Sequence, residues 1–321
     1  MERSGHREVE HEIEIGAPAA TVYRMIAGVG DWPRLFPPTV HVEHLEHSER
    51  AERIRIWAFA NGEVKNWTSR RALDPARLRV EFRQEVSAPP VAAMGGTWVI
   101  EPLSEARSRV RLLHDYRAIG DDPADLEWIE RAVDGNSRSE LAALRTNVET
   151  AAGADDRLTF SFEDSITVEG PPEKAAASVY DFLNEAGLWE ERLPHVTRVV
   201  LTEDTPGLQI LEMDTTAKNG STHTTRSVRV CFPHHKIVYK QITLPALLGL
   251  HTGCWRIEPR PGEDAVTVTS VHTVSVNEAN LVTVLGEGAT VDRARQFLRD
   301  ALGANSRATL GHAKEFAESR T

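Results

Sequence analysis

Two short stretches of this 321-residue chain carry side chains suited to oxyanion and proton chemistry. In KNWTSRRAL (residues 65–73), strand alternation puts Trp67, Ser69 and Arg71 on one face and Asn66, Thr68 and Arg70 on the other. Trp67 marks its own face as the inward one, which would take a guanidinium into an apolar enclosure, a costly place unless the charge is paired or used. An arginine stays protonated, so it suits stabilisation of an enolate or alkoxide oxygen better than proton abstraction. The competing reading is that Arg71 ends its strand and reaches solvent or a carboxylate. Ser69 can donate a hydrogen bond or anchor water. In RVRLLHDYRA (residues 109–118), Val110, Leu112, His114 and Tyr116 share a face, and His114 is the candidate for moving a proton near neutral pH. Trp98 and Trp32 are large aromatics for a core or for the wall of a binding site.

These positions acquire meaning from the elements that hold them. Val9 to Ile15 alternates with period two, and the next residues carry Val22, Met25 and Ile26 at helical spacing. Alternating stretches follow at 40–45, 53–59, 64–73, 78–86, 97–103 and 109–116, separated by turn formers such as Asn61-Gly62 and Asp74-Pro75. Residues 123–150 carry Leu126, Ile129, Val133, Leu141, Leu144 and Val148 at the spacing of a long amphipathic helix. The series then recurs. VYRMIAGVGDWPRLFP (22–37) lies over VYDFLNEAGLWEERLP (179–194), setting Trp32 against Trp189 at an offset of 157 residues. GTWVIEP (96–102) lies over GCWRIEP (253–259) at the same offset. NSR at 136–138 returns at 305–307, an offset of 169, so about twelve residues are inserted before the last helix of the second half.

The expected fold class is therefore α+β. The chain reads as two tandem helix-grip domains, each a curved seven-stranded antiparallel sheet around a long C-terminal helix, with an internal cavity. The expected domains are residues 1–152 and 157–321, joined by AAGADD (151–156). In the second half the strands are expected at 158–169, 196–203, 208–216, 221–232, 236–242, 254–259 and 265–276. Overlaying T-T-R on T-S-R at an offset of 156 puts His223, Thr225 and Ser227 opposite Trp67, Ser69 and Arg71. On that overlay the second copy lacks the inward arginine. Trp255 stands against Trp98 and His272 against His114.

Composition narrows the function. A net charge of −11 supplies no basic field for nucleic acid or an anionic membrane surface. No apolar stretch approaches the roughly 20 residues that span a bilayer, and the charged N-terminus has no secretory core, so a cytoplasmic location is expected. Cys231 and Cys254 lack metal-ligand spacing, and His234-His235 reads as a turn. Signatures for phosphate loops, dinucleotides, serine hydrolases and zinc proteases are absent, so neither a cofactor nor a metal is expected.

The ordered set AP-x-x-x-V-Y, DWPRLFP, WTSRR, the G-T-W strand and the NSR helix, present along nearly the whole chain, resembles the di-domain aromatase/cyclases of bacterial type II polyketide synthases, within the START and Bet v 1-like superfamily. The resemblance implies an acyl carrier protein partner bearing a poly-β-keto chain, ketoreduced at C9. The first ring would be closed between C7 and C12 and aromatised by loss of water. It implies that Trp67, Ser69 and Arg71 line the N-terminal cavity and that Arg71 matters for cyclisation; with His114 from the reading of its strand, the expected catalytic residues are Arg71, Ser69 and His114. Trp67, Trp98, Trp32, Phe36, Leu112 and Tyr116 would line the substrate, and His223, Thr225, Ser227, Trp255 and His272 would line the second pocket. A tyrosine that mono-domain relatives carry after their Trp-Pro is absent, the position falling near Thr39. Because carrier proteins are acidic, a local basic rim is expected, with Arg70 or Arg192 as members. The alternative from the same superfamily is a non-catalytic carrier of lipid or quinone, which needs a cavity but no inward arginine.

Overall fold

A computed structural model describes residues 5–153, 156–216 and 222–320, in two compact units, Met1–Asp155 and Asp156–Thr321. In the first, β1 (Arg7–Ile15) leads through α1 (Ala19–Ala27) and the one-turn α2 (Trp32–Leu35) to β2 (Thr39–His47), β3 (Ala51–Ala60), β4 (Glu63–Asp74), β5 (Arg79–Val86), β6 (Val91–Ser104) and β7 (Arg107–Ala118). Helix α3 (Pro123–Gly153) ends the unit. The second unit repeats the order with β8 (Thr159–Glu169), α4 (Pro172–Asn184), α5 (Trp189–Arg192), β9 (Val196–Thr205), β10 (Leu208–Thr216), β11 (Thr222–Phe232), β12 (Lys236–Thr243), β13 (Leu248–Pro259) and β14 (Ala265–Val276). The insertion inferred from the NSR offset forms a short α6 (Leu281–Leu285) ahead of the last helix, α7 (Val291–Glu318). Among the described residues no helix is long and apolar enough to cross a membrane.

Both sheets are antiparallel and seven-stranded, in the orders β1-β7-β6-β5-β4-β3-β2 and β8-β14-β13-β12-β11-β10-β9. Tight turns account for the consecutive pairings: Asn61 and Gly62 both have positive φ, 49° and 82°, as a two-residue hairpin twisting with its strands requires. His234, with φ 60°, lies in the turn before β12. Helix α3 touches β1 and β7 and also β3. Four strand spacings separate β7 from β3, roughly 19 Å in a flat sheet, whereas a helix with its side chains is about 10–12 Å across. The sheet must therefore curl around α3, which buries Leu126, Ile129, Val133, Leu141, Leu144 and Val148 against it.

Three sequence expectations change. Strands β6 and β13 begin at Val91 and Leu248, well before residues 97 and 254, because glycines that read as turns lie inside the ladders. A Cβ on Gly96 would stand 2.0 Å from the Leu113 carbonyl oxygen and 2.7 Å from Phe82 Cζ; one on Gly253 would stand 2.3 Å from the Tyr239 ring. Only glycine leaves room for those rings to cross the strand. Helix α3 also continues through Gly153, into the stretch read as linker, and a 3-10 turn (Asp156–Leu158) precedes β8; residues 154–155 lie outside the described residues.

Candidate active site

Strand β4 presents Trp67, Ser69 and Arg71 inward, as its alternation requires: Trp67 is half-buried, Ser69 and Arg71 are buried, and Arg70 between them is exposed. Glu52 of β3 pairs with Arg71 in the ladder. Its carboxylate forms a salt bridge with Arg71 Nη1, both side chains being 2% exposed. Arg71 Nη2 donates to the Ile26 carbonyl at 2.8 Å and Nη1 to that of Ala27 at 3.4 Å, capping the last turn of α1. The guanidinium lies 4.9 Å over the Trp32 ring, whose Nε1 donates to the same Ile26 carbonyl at 3.2 Å. Burial pulls the arginine down to about 10, against the opposing pull of Glu52, so it remains charged at neutral pH. The guanidinium is thus inward, as expected. Its charge is already matched, by a carboxylate that the sequence does not point to.

Trp98, Phe36 and Leu112 are packed into the core with Val22 and Leu144, Phe36 stacking on Trp98 at 6.2 Å and meeting Trp32 edge-on at 5.4 Å. Tyr116 packs with Ile129 and Val133 of α3. These residues build the wall around a more open interior. His114, Phe82, Gln84, Met94 and Gly96 lie in register on the inner face and keep part of their surface. His114 is largely enclosed by the domain nonetheless.

Glu140 shows the same combination, and the sequence reading missed it. It sits seven residues after Val133 and four before Leu144, an acid within the inward stripe of α3, and that interruption of the stripe was the available signal. Its carboxyl has no partner among the described residues, and burial alone raises it to about 8. Burial acts oppositely on His114, lowering it to about 4 with a smaller push from His11, so the imidazole is neutral at pH 7. Its Nδ1 has no partner, and the Tyr116 hydroxyl, Gln84 Oε1 and Ser137 Oγ are likewise buried and unpartnered. Phe82 meets the His114 ring edge-on at 5.5 Å. A neutral base and several unsatisfied polar atoms thus lie on the inner faces of β5, β7 and α3, with a protonated acid on the inward stripe of α3. By contrast, an open charged cleft of about 530 Å³, lined by Glu14, Arg145, Thr146 and Glu149, includes none of these residues.

The second domain corrects the offset of 156 and the inference of a missing arginine. In the ladders Gln209 pairs with Arg229 as Glu52 pairs with Arg71. Arg229 donates to the Leu183 carbonyl and lies 5.1 Å over the Trp189 ring, as Arg71 does to Ile26 and Trp32. The true counterparts of Trp67, Ser69 and Arg71 are Thr225, Ser227 and Arg229, an offset of 158; matching T-T-R to T-S-R followed local identity instead of strand register. His223 is exposed near the start of β11, while Thr225, Ser227, Trp255 and His272 are buried. The Arg71 carboxylate is replaced by Gln209, and Arg229 Nη1 lacks a partner.

His272, the counterpart of His114, is saturated. Its Nε2 lies 2.6 Å from Ser306 Oγ and 3.2 Å from Ser270 Oγ, and its Nδ1 lies 2.9 Å from His251 Nε2 and 3.0 Å from the Tyr239 hydroxyl. Tyr239, His251 and Ser306 stand where the first domain has Phe82, Met94 and Ser137, and Thr309 stands where it has Glu140. The first domain leaves His114 Nδ1 open, whereas the second engages both ring nitrogens of His272, although His251 Nδ1 and Gln241 Oε1 there have no partner. On the surface, Arg70 is paired with Glu85 at 2.8 Å and Arg192 with Glu185 at 2.7 Å, so neither supplies the unmatched charge expected of a basic rim.

Comparison with known proteins agrees with this architecture. Residues 6–149 and 173–299 each match a family described as "Polyketide cyclase / dehydrase and lipid transport". The chain is 52% identical over 302 residues to the granaticin polyketide synthase bifunctional cyclase/dehydratase of Streptomyces virginiae, covering 94% of this chain and 97% of the relative. It is 46% identical to the actinorhodin polyketide synthase bifunctional cyclase/dehydratase of Streptomyces coelicolor, covering 98% of each. The crystal structure of the di-domain ARO/CYC BexL from the BE-7585A biosynthetic pathway superposes with a TM-score of 0.86 at 61% identity, over 98% of this chain and 100% of that one. That of the di-domain ARO/CYC StfQ from the steffimycin pathway gives 0.85 at 36% identity, over 97% and 99%. With two helix-grip domains and relatives matched end to end, the chain belongs to the di-domain aromatase/cyclases, the bifunctional cyclase/dehydratases of type II polyketide synthases.

Proposed function

We propose that the N-terminal domain takes a C9-reduced poly-β-keto chain from an acyl carrier protein, closes its first ring between C7 and C12 by aldol addition and aromatises it by dehydration. The observation that carries this reading is the contrast between the two histidines: His114 Nδ1 and the neighbouring Tyr116 hydroxyl have no partner and Glu140 stands on the inward stripe of α3, while both ring nitrogens of His272 are engaged. Groups whose surroundings push their pKa values apart are suited to paired acid and base roles. In the addition, neutral His114 takes a proton from a methylene between two carbonyls, the resulting carbon attacks the ketone, and the imidazolium returns the proton to the alkoxide. In the dehydration, His114 takes the remaining proton of that carbon while Glu140 protonates the hydroxyl. The C–O bond breaks, water leaves and a C=C bond forms. Proton passage from the imidazolium to the Glu140 carboxylate then restores both groups, and a second round removes the C9 hydroxyl as water with a proton of C10, after which enolisation of the C11 ketone leaves the ring aromatic. Such acid–base assistance contributes roughly 10²–10⁴ in rate, and holding one chain conformer contributes several kcal/mol more.

Arg71 acts in this scheme as a positioning residue, holding the end of α1 and Trp32 against the site, and Ser69 adds a hydroxyl beside it. The test is reconstitution with a minimal polyketide synthase and ketoreductase, with the ring carbons of the product assigned by isotope labelling. The complete protein should convert shunt products into a C7–C12-closed aromatic. Glu140→Gln and His114→Ala should restore the shunt profile, and Ser306→Ala should leave the product unchanged. A profile unaffected by the complete protein refutes the activity; loss in Ser306→Ala but not in Glu140→Gln refutes the choice of domain.

A further inference from the structure

At the rim of the first sheet, apart from His114 and Glu140, two histidines meet the buried Glu52 carboxylate. His44 Nε2 lies 2.8 Å from Glu52 Oε2, and His47 Nδ1 lies 3.5 Å from the same oxygen. The three ligand-capable atoms all lie within 4.8 Å of one another. Residues three apart on a regular strand point to opposite faces. Here the β2–β3 pairing is irregular between His44 and Glu46, and this bulge turns both rings to one side; His47 is the direct cross-strand partner of Glu52. The sequence hides the site for that reason.

We propose that His44, His47 and Glu52 bind a divalent transition cation of the Zn²⁺ type. Two imidazole nitrogens and one carboxylate oxygen form a donor set for borderline cations, and too oxygen-poor a set for Mg²⁺ or Ca²⁺. Metal–ligand bonds of about 2.0–2.2 Å at tetrahedral angles place ligand atoms roughly 3.3 Å apart, and the contacts to Glu52 Oε2 bracket that spacing, so small rotations of the exposed rings complete the site. Glu52 Oε1 is held by Arg71, which orients the carboxylate as an outer-shell donor does. The His44 and His47 side chains are 42% and 64% exposed, which gives the ion an entry path and leaves its fourth position to water or an anion. The second copy carries Leu201, Asp204 and Gln209 at these places, so the site belongs to the first domain alone. Occupancy ties the β2–β3 hairpin to Glu52, and through Arg71 to the end of α1.

The full chain, treated with a chelator and titrated with CoCl₂, should develop the visible absorption of a low-coordinate cobalt site at one equivalent. ZnCl₂ should abolish that band and MgCl₂ should not. His44→Ala and His47→Ala alter exposed side chains and should retain the parent circular dichroism, yet each should weaken Zn²⁺ binding in calorimetry by roughly tenfold or more. His234→Ala, at a surface turn, should bind as the parent does. Absence of saturable binding at millimolar ion overturns the proposal. Binding that both variants retain also overturns it, leaving an adventitious ion only.

Discussion

Replacing Glu140 by glutamine should make the protein more stable and less active, and the gain should depend on pH. An ordinary carboxyl titrates at 4.5, whereas Glu140 in the folded domain titrates at about 8. Between those values the folded state holds a proton that the unfolded state has released, so stability falls as pH rises from 4.5 and levels off above 8. At about 1.4 kcal/mol per pH unit the penalty at pH 7 is at most about 3 kcal/mol, growing to about 5 kcal/mol by pH 8. Glutamine keeps the shape without the charge, so Glu140→Gln removes the penalty. Urea denaturation of parent and variant at pH 5, 7 and 8 measures the difference, and everything common to both proteins, including the second domain and His114, cancels. The expected gain is below about 1 kcal/mol at pH 5 and about 3 kcal/mol at pH 7. A gain that stays constant across this range would refute the enclosure of Glu140. A pH-dependent gain with an unchanged polyketide product would refute its catalytic role while sparing the burial.

Other outcomes follow from the same geometry. Glu52→Gln strands the Arg71 guanidinium and should cost about 3 kcal/mol in denaturation, and Glu52→Leu with Arg71→Met together should recover most of it; equal losses in single and double variants would contradict a coupled pair. Buried His114 and His272 both titrate at about 4, against an ordinary 6.5, so each should withdraw up to about 3 kcal/mol of stability as pH falls from 6.5 to 4, read as proton uptake on unfolding. Gly96→Ala drives a methyl into the Leu113 carbonyl and the Phe82 ring and should cost roughly 1–3 kcal/mol, read as a lowered Tm; Gly62→Ala, in open space but at positive φ, tests strain without a clash.

The architecture was legible because duplication supplied an internal control. Trp32 against Trp189 and NSR against NSR gave the repeat, and period-two alternation gave the strands, all without a structure. Strand starts at Val91 and Leu248 were hidden because Gly96 and Gly253 serve close packing inside a ladder, where sequence rules read a turn. The site was half legible. Alternation turned Trp67, Ser69, Arg71 and His114 inward correctly, since it depends on local geometry alone. Glu52, 19 positions from Arg71, and Glu140, on a helix packed across the sheet, are joined to the site by tertiary structure, and no local pattern encodes that. The Arg229 error has the same root, because register is a property of paired strands and T-T-R is a property of one.

Register also shows how one fold supports unlike interiors. Both copies keep the buried arginine that caps the first helix and lies over a tryptophan, so that arrangement belongs to the scaffold. The differences gather on β5, β6 and α3, where Phe82, Met94 and Glu140 correspond in position to Tyr239, His251 and Thr309 of the second copy. Tyrosine and a second histidine satisfy His272; phenylalanine and methionine cannot, and they leave His114 Nδ1 open. An unsatisfied buried polar atom costs roughly 1–3 kcal/mol; the first domain bears it at His114 Nδ1, while both ring nitrogens of His272 escape it. Substitutions at a few positions remove such a cost around the second copy's histidine, so the open atoms of the first copy are available to a ligand.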